Sequence, residues 1–344
     1  MDPNSSKRHL INQLSPEDLK ARLANESFKR TTVSFYKYVI LDKPEEMRDQ
    51  LFLIWNKLHC YGRIYVAKEG INAQMSVPDH FWNEFKEQLY AIPEFNNVPF
   101  KIAVEDDGQS FLKLQIKVRQ QIVADGLKPE EYDVTNVGQH LNAQQWNNAM
   151  DDGAIVVDMR NHYESEIGRF ANALLPDAET FKEELPEVVE KLKGKEDEKI
   201  LLYCTGGVRC EKTSAYLKHH GFSDVNQLLG GIIDYNRQVE TEALENKFIG
   251  KNFVFDNRLG ERISDDVISH CHQCGSACDT HTNCANKRCN VLFIQCDSCR
   301  AKYNACCGDD CQTYVLAPAD EKESLEQRLV FKRGKRFYKT DKSA

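Results

Sequence analysis

Residues 200–212 read ILLYCTGGVRCEK. Ile200 to Tyr203 form the short apolar run of a buried strand, and they lead without a break into Cys204, Thr205, Gly206, Gly207, Val208 and Arg209. Cys210 to His220 then reads as a helix closed by Gly221. A strand that delivers a glycine-containing loop and a helix start is the unit of an open α/β sheet, which gathers its ligands at the carboxyl ends of its strands. The flanks repeat the step. Ala154 to Met159 reads as a strand, Phe181 to Leu192 as a helix and Val225 to Leu228 as a strand, and Gly230-Gly231 opens the next helix. Repeated β-α steps imply a mainly parallel sheet covered on both faces, here over residues 139–245.

The loop's chemistry follows from its composition. Successive backbone N–H groups, with the partial positive charge of a helix start, form an anion nest that favours thiolate over thiol. Arg209 and Lys212 add positive charge, so Cys204 reads as a nucleophile with Arg209 as its partner. An inert core cysteine would need neither two glycines nor an arginine. Cys210 reads as core-facing on the helix or as a resolving thiol. Cysteine-based phosphatases place one more residue between Cys and Arg than the four found here, so this cradle is too small for phosphate.

Upstream, residues 31–125 read as an α+β sandwich. Val33, Phe35 and Val39 alternate with Thr32, Ser34, Tyr36 and Tyr38 as in a strand, and Met47, Leu51, Ile54, Trp55 and Leu58 share one helix face. Strands through Ile64–Val66 and Ile71–Val77, a helix with Phe85 and Leu89, and strands at 98–104 and 111–123 complete a β-α-β-β-α-β order, that of ferredoxin-like and acylphosphatase-like domains. On the last strand Leu112, Leu114, Ile116, Val118 and Ile122 are apolar while Lys113, Gln115, Lys117 and Arg119 point the other way. That basic face is either solvated or binds nucleic acid.

The chain has 344 residues, 41% hydrophobic and 28% charged, which excludes a disordered or membrane-embedded protein as a whole. The net charge of −8 is uneven: residues 1–130 are balanced, residues 131–250 carry −10, and the end of the chain is basic. Arg328, Lys332, Arg333, Lys335, Arg336, Lys339 and Lys342, interleaved with Phe331, Phe337 and Tyr338, make residues 320–344 a basic tail of the kind that grips phosphates and stacks bases. Residues 1–30 form a polar extension without the apolar core of a secretory signal. No apolar run is long enough to span a bilayer, and a cytoplasmic location is expected.

Ten of the thirteen cysteines lie between Cys271 and Cys311. In a reducing compartment such clusters bind metal or do chemistry more often than they form disulfides. They pair as Cys271/Cys274, Cys284/Cys289, Cys296/Cys299 and Cys307/Cys311, with Cys278, His281 and Cys306 left over. Four short-spaced pairs suit two tetrahedral zinc sites in a module over residues 265–315, interleaved if the first and third pairs share one metal. A redox relay or free thiols is the alternative.

Asp158-Met-Arg160-Asn-His-Tyr-Glu164, Ile167-Gly168, the CTGGVR loop and Leu229-Gly230-Gly231 resemble a rhodanese domain, with Cys204 at its persulfide-bearing position. With KEGIN at 68–72, HTNC at 281–284 and FIQC at 293–296, the chain over about residues 30–311 resembles the rhodanese-related tRNA uridine hydroxylases. Asn172 departs from the pattern, standing where rhodaneses usually have glycine. The resemblance implies oxygen-dependent 5-hydroxylation of the wobble uridine in the anticodon loop of certain tRNAs, with molecular oxygen as co-substrate. It extends the candidate active-site loop to Thr205, Gly206, Gly207, Val208, Lys212, Asp158 and Arg160. Lys68, Lys113, Lys117 and Arg119 are the candidate RNA contacts. No flavin or haem fingerprint is visible. A sulfurtransferase that carries a persulfide on Cys204, or a non-catalytic tRNA-binding or zinc scaffold, are the rival readings.

Overall fold

The computed structural model describes residues 14–106, 108–127 and 132–332. The extension before the first sheet is partly helical: α1 (Pro16–Ala24) is capped by Ser15 Oγ, which accepts from the Asp18 amide. Next come β1 (Arg30–Tyr38), α2 (Pro44–Lys57), β2 (Tyr61–Ala67), β3 (Gly70–Pro78), α3 (Trp82–Tyr90) and β4 (Lys101–Ile102), in the order expected of a ferredoxin-like sandwich. The sheet runs β4-β1-β3-β2 with antiparallel neighbours, and β5 (Leu114–Val118) adds parallel to β2 at the edge. One face packs Val33, Phe35, Ile64, Ala73 and Met75 against Leu51, Trp55, Phe85 and Leu89 of the helices. Strand alternation turns Ser34, Tyr36 and Tyr38 to the other face, which lies over the middle domain.

Two strands are shorter than their apolar patterns suggest, and the middle domain is the reason. Past Ile102 the chain crosses over, and the Val104 amide donates to Glu261 Oε1 at 3.0 Å. Past Val118, the Ile122 amide donates to Glu69 Oε1 at 2.7 Å and the Val123 carbonyl accepts from Lys212 Nζ at 3.1 Å. Val104 and Val123 thereby become interdomain contacts, while Ile122 ties back to the β2–β3 turn of its own domain.

The middle domain comprises β6 (Gln139–Leu141), α4 (Ala143–Asp151), β7 (Ile155–Asp158), α5 (His162–Ile167), β8 (Gly168–Phe170), α6 (Phe181–Lys191), β9 (Lys199–Tyr203), α7 (Val208–His219), β10 (Asp224–Leu228) and α8 (Gly231–Glu242). Its sheet, β6-β10-β9-β7, is wholly parallel. Trp146, Phe170, Leu201 and Tyr235 fill one side and Leu185, Val188, Leu202 and Leu217 the other. Asn172 adopts φ 57°, a left-handed conformation that asparagine tolerates better than most residues, so its substitution for glycine leaves the turn intact. β8 leaves the parallel sheet to pair with β11 (Phe248–Asn252), which also holds β12 (Glu261–Arg262).

The cysteine-rich module is a hairpin, β13 (His281–Asn283) and β14 (Leu292–Ile294), with α9 (Asp297–Lys302), α10 (Asp309–Leu316) and α11 (Lys322–Arg328). It joins the middle domain through a shared apolar cluster of Tyr163, Ile167, Phe253, Leu292 and Ile294, and His272 Nε2 sits 2.8 Å from Glu166. Phe331, expected in a base-stacking tail, is instead buried with Val291, Phe293 and the second cysteine group. An aromatic beside a small apolar core is worth more buried than exposed. The remaining tail residues, from Arg333, lie outside the described residues.

Candidate active site

Strand β9 ends at Tyr203 and α7 begins at Val208, so the four residues from Cys204 to Gly207 turn over the carboxyl edge of the sheet. Two glycines make the turn possible. Gly207 caps α7 at φ 95°, where an L side chain is strained. Gly231 passes so close beneath the loop that a Cβ there would stand 2.6 Å from the Cys204 carbonyl oxygen.

The Gly207 amide donates to Cys204 Sγ at 3.1 Å. Burial alone would raise this thiol. The neighbouring Cys210 thiol, the Arg209 charge and the Arg209 and Cys210 amides outweigh it and bring Cys204 down to about 5. Cys210 goes the opposite way, held well above the usual thiol range by burial and by the adjacent Cys204, and it packs in the core with Leu202 and Leu217. Glu184 is fully buried, and among the described residues neither of its carboxyl oxygens has a hydrogen-bond partner. Burial pushes it well above the carboxylate range, which favours its neutral form and weakens its opposition to the thiolate.

At neutral pH Cys204 is therefore an activated thiolate. Its reaction rate with iodoacetamide, followed by peptide mass spectrometry, rises with pH through a midpoint near 5 and is flat from about pH 6.5 upward. A midpoint of 8 or above would show that the loop does not activate it.

Arg209 forms a bidentate pair with Glu164, 2.7 and 2.9 Å, and Thr205 Oγ1 lies 3.4 Å from the same carboxylate. Its guanidinium is thus a fixed charge beside the thiolate, with both terminal nitrogens engaged. Lys212 is a correction to the loop's expected charge. Its ammonium is 2.8 Å from Asp125 and 3.0 Å from Glu69, so it clamps the first domain to the middle one and its charge is neutralised there. Asp158 and Arg160 likewise do not line the site: they pair with each other at 2.7 Å, fully buried, with Tyr203 Oη donating to Asp158 at 2.6 Å. They hold the floor of the sheet together.

Above Cys204 lies a cavity of about 480 Å³, within the range of roughly 300–1,000 Å³ typical of small-molecule sites. Cys204, Thr205, Gly206, Val208 and Arg209 form its floor, Tyr163 and Phe255 a wall, and Ser34, Tyr36, Tyr65, Asn72, Gln74 and Lys101 its ceiling. The ceiling is the polar face of the first sheet, pinned to the loop helix by Tyr36 Oη donating to Glu211 at 3.0 Å and Tyr38 Oη to the Val208 carbonyl at 3.1 Å. Sequence reasoning missed these residues and Glu164. The alternation of Ser34, Tyr36 and Tyr38 marks a polar face, but what covers it is a tertiary fact. Lys68, Lys113 and Arg119 are exposed and Lys117 half-buried, and among the described residues none is paired with a carboxylate. Arg119 stacks 5.5 Å from the Tyr65 ring, which joins this basic edge to the cavity.

The cysteine pairs meet in two groups of four. Cys271, Cys274, Cys296 and Cys299 form one and Cys284, Cys289, Cys307 and Cys311 the other, with all ligand atoms of a group within 4.8 Å of one another. Cys274–Cys296, Cys289–Cys307 and Cys307–Cys311 sulfurs are 3.6, 3.7 and 3.8 Å apart. That is too long for a disulfide and close to the edge, about 3.8 Å, of a tetrahedron with metal–sulfur bonds of about 2.3 Å. Cys278, His281 and Cys306 belong to neither group.

The domain pattern is found in known families. Residues 30–122 match the UPF0176 acylphosphatase like domain, 142–238 the Rhodanese-like domain and 249–312 the Rhodanase C-terminal domain. A protein of Leptospira interrogans, named tRNA uridine(34) hydroxylase, is 55% identical over 324 residues, 94% of this chain and 88% of its own length. This chain belongs to the tRNA uridine(34) hydroxylase family. Relatives of the same name in Pectobacterium atrosepticum and Salmonella typhimurium are 52% and 51% identical, over 92% and 90% of this chain and 90% and 89% of theirs. In this member of the hydroxylase family, all three matched domains contribute to one site: a ceiling from the first, the thiolate from the second and the Phe255 wall from the third.

Proposed function

We propose that the chain hydroxylates carbon 5 of uridine 34 in tRNA, with molecular oxygen as co-substrate and Cys204 as nucleophile. The observation that carries this reading is the activated thiolate on the floor of an interdomain cavity, sized for a nucleotide and lined by aromatic and amide side chains. Enzymes that act on a base take it out of its stack into such a pocket, and an anticodon loop offers bases that are already splayed. Carbon 6 of uracil is electrophilic. Thiolate addition there makes carbon 5 nucleophilic, carbon 5 takes one oxygen atom, and loss of its proton expels the thiolate. The second atom of dioxygen leaves as water, reduced by two electrons from an external reductant. The loop amides and Arg209 favour the thiolate before addition and after release.

The basic edge of Lys113, Lys117 and Arg119, with Lys68, supplies a track for the tRNA backbone. Cys271, Cys274, Cys296 and Cys299 would hold one zinc ion and Cys284, Cys289, Cys307 and Cys311 a second, each supplying a structural cross-link. Among the described residues no helix is long and apolar enough to cross a membrane; a tRNA substrate supports a cytoplasmic site for the reaction.

Incubating the purified protein with unmodified tRNA under ¹⁸O₂ and analysing the nucleosides by mass spectrometry tests the reading. The expected product is 5-hydroxyuridine carrying one ¹⁸O. Label drawn from water, or a thionucleoside in its place, would defeat it, the latter in favour of sulfur transfer.

A further inference from the structure

The ceiling of the cavity carries a cation that the chemistry above leaves unused. Lys101, on β4, is 3% exposed and lines the cavity with Cys204. Its ammonium lies 4.5 Å from the centre of the Tyr36 ring. Its stem crosses the catalytic loop, so that a Cβ on Gly206 would stand 3.6 Å from Lys101 Cδ. Among the described residues its Nζ has no hydrogen bond and no ion pair. Asp234, Glu211 and Cys204 act on it only at longer range, and Arg237 opposes them. An ammonium largely withdrawn from water with only an aromatic face beside it is costly, and one that lines a cavity is placed to meet negative charge that forms there. Its two cationic neighbours cannot take that role, since Arg209 is held by Glu164 and Lys212 by Asp125 and Glu69.

Resting on the uridine reading above, we propose that Lys101 is a catalytic residue supplied by the N-terminal domain, whose ammonium donates to the carbonyl oxygen on carbon 4 of uracil and holds the enolate formed when Cys204 adds at carbon 6. In that step the sulfur–carbon 6 bond forms and the carbon 5–carbon 6 π pair moves to the carbon 4–carbon 5 bond. The carbonyl π pair moves onto oxygen, so negative charge passes from sulfur to the carbon 4 oxygen with nothing oxidised or reduced. Protonation of carbon 5 by solvent, loss of the hydrogen originally there and expulsion of the thiolate return uracil with its carbon 5 hydrogen exchanged. A preorganised cation where charge develops stabilises the transition state more than the ground state.

Because addition needs no oxygen, it can be read alone. The full chain is incubated under argon with an anticodon stem-loop RNA bearing deuterium at carbon 5 of the target uridine, and loss of deuterium is followed. Lys101→Met keeps the aliphatic stem on Gly206 and Tyr36. It is expected to slow exchange roughly 100- to 1,000-fold, the usual effect of removing one oxyanion donor. RNA affinity is expected to stay unchanged, and the alkylation midpoint of Cys204 to rise only slightly, since the ammonium acts on the thiolate at longer range; a midpoint still far below that of a free thiol also shows that the loop is folded. Lys101→Arg, which restores the charge, is expected to recover part of the rate. Exchange at the unsubstituted rate in Lys101→Met would overturn the proposal. So would a loss of RNA affinity that matches the loss of rate, which makes Lys101 a phosphate contact, or an alkylation midpoint raised to that of a free thiol, which makes it a thiolate partner. If the unsubstituted protein shows no exchange beyond a Cys204→Ser control, the addition step itself is wrong, a failure visible before any change at Lys101.

Discussion

Serine in place of Cys204 abolishes 5-hydroxyuridine in tRNA while leaving tRNA binding intact. The loop brings a thiol down to about 5, but a hydroxyl starts far higher and stays protonated at neutral pH in the same nest. Loss of the nucleophile is expected to cost at least about 10⁴ in rate, the scale seen when a covalent catalyst is removed. The fold should tolerate the change. The side chain is small, it already accepts the Gly207 amide, and a single polar replacement in a core costs on the order of 1–3 kcal/mol. Nucleoside mass spectrometry of tRNA from cells carrying only the serine variant reads the outcome, with RNA affinity and thermal unfolding as controls. Retained product would remove Cys204 from the mechanism. Cys210→Ala adds a discriminating arm. Cys210 is held protonated in the core, so its loss should shift the pH at which Cys204 works and leave product forming. If Cys210→Ala is as inactive as Cys204→Ser, the two act as a redox pair and the addition route is wrong.

The position of Cys204 is legible in the sequence because strand, glycine loop and helix start are contiguous, and the anion nest they make is a local structure. The electrostatics around it are less so. Arg209 and Lys212 look equivalent in the string CTGGVRCEK, three residues apart on one helix, yet one faces Glu164 beside the thiolate and the other reaches Asp125 and Glu69 across a domain boundary. Those partners come from other parts of the chain, and no spacing rule pairs them. Lys101 shows the same limit more sharply. In sequence it is one lysine in a weak strand; in the fold, pairing of β4 with β1 carries it over the loop. The β-α-β-β-α-β order and the parallel β-α repeat agree with the observed sheets because apolar periodicity reports which face is covered. Composition misled at Phe331, where a basic and aromatic run suggested stacking on RNA and the aromatic ring instead closes a small core.

Serine at Cys271, Cys296 or Cys299 should remove one of two zinc equivalents and with it most activity, although none of these residues lines the cavity. The reason is mechanical. Cys271 and Cys299 share an apolar cluster with Tyr163, Ile167 and Phe253, against which Phe255 packs, and Tyr163 and Phe255 are the cavity wall. Little apolar sequence lies between the cysteines, so the module depends on metal for much of its folding free energy, about 10–16 kcal/mol per structural zinc site. Loss of the first site therefore frees the wall as well as the module. The second group is buried instead with Val291, Phe293 and Phe331, away from the catalytic loop. Serine at Cys284 or Cys311 should also lose one equivalent, but it should expose chiefly the segment around α10 and α11 to protease and spare more of the activity. Metal content by atomic emission, limited proteolysis and the Cys204 alkylation rate separate the two cases. The first-site variants should lose the flat alkylation profile above pH 6.5, because a loosened wall admits water beside the loop, whereas the second-site variants should keep it. Fewer than one zinc per chain in the unsubstituted protein would defeat the two-site assignment. Equal loss of activity from both groups would show that the wall is not held by the first site alone.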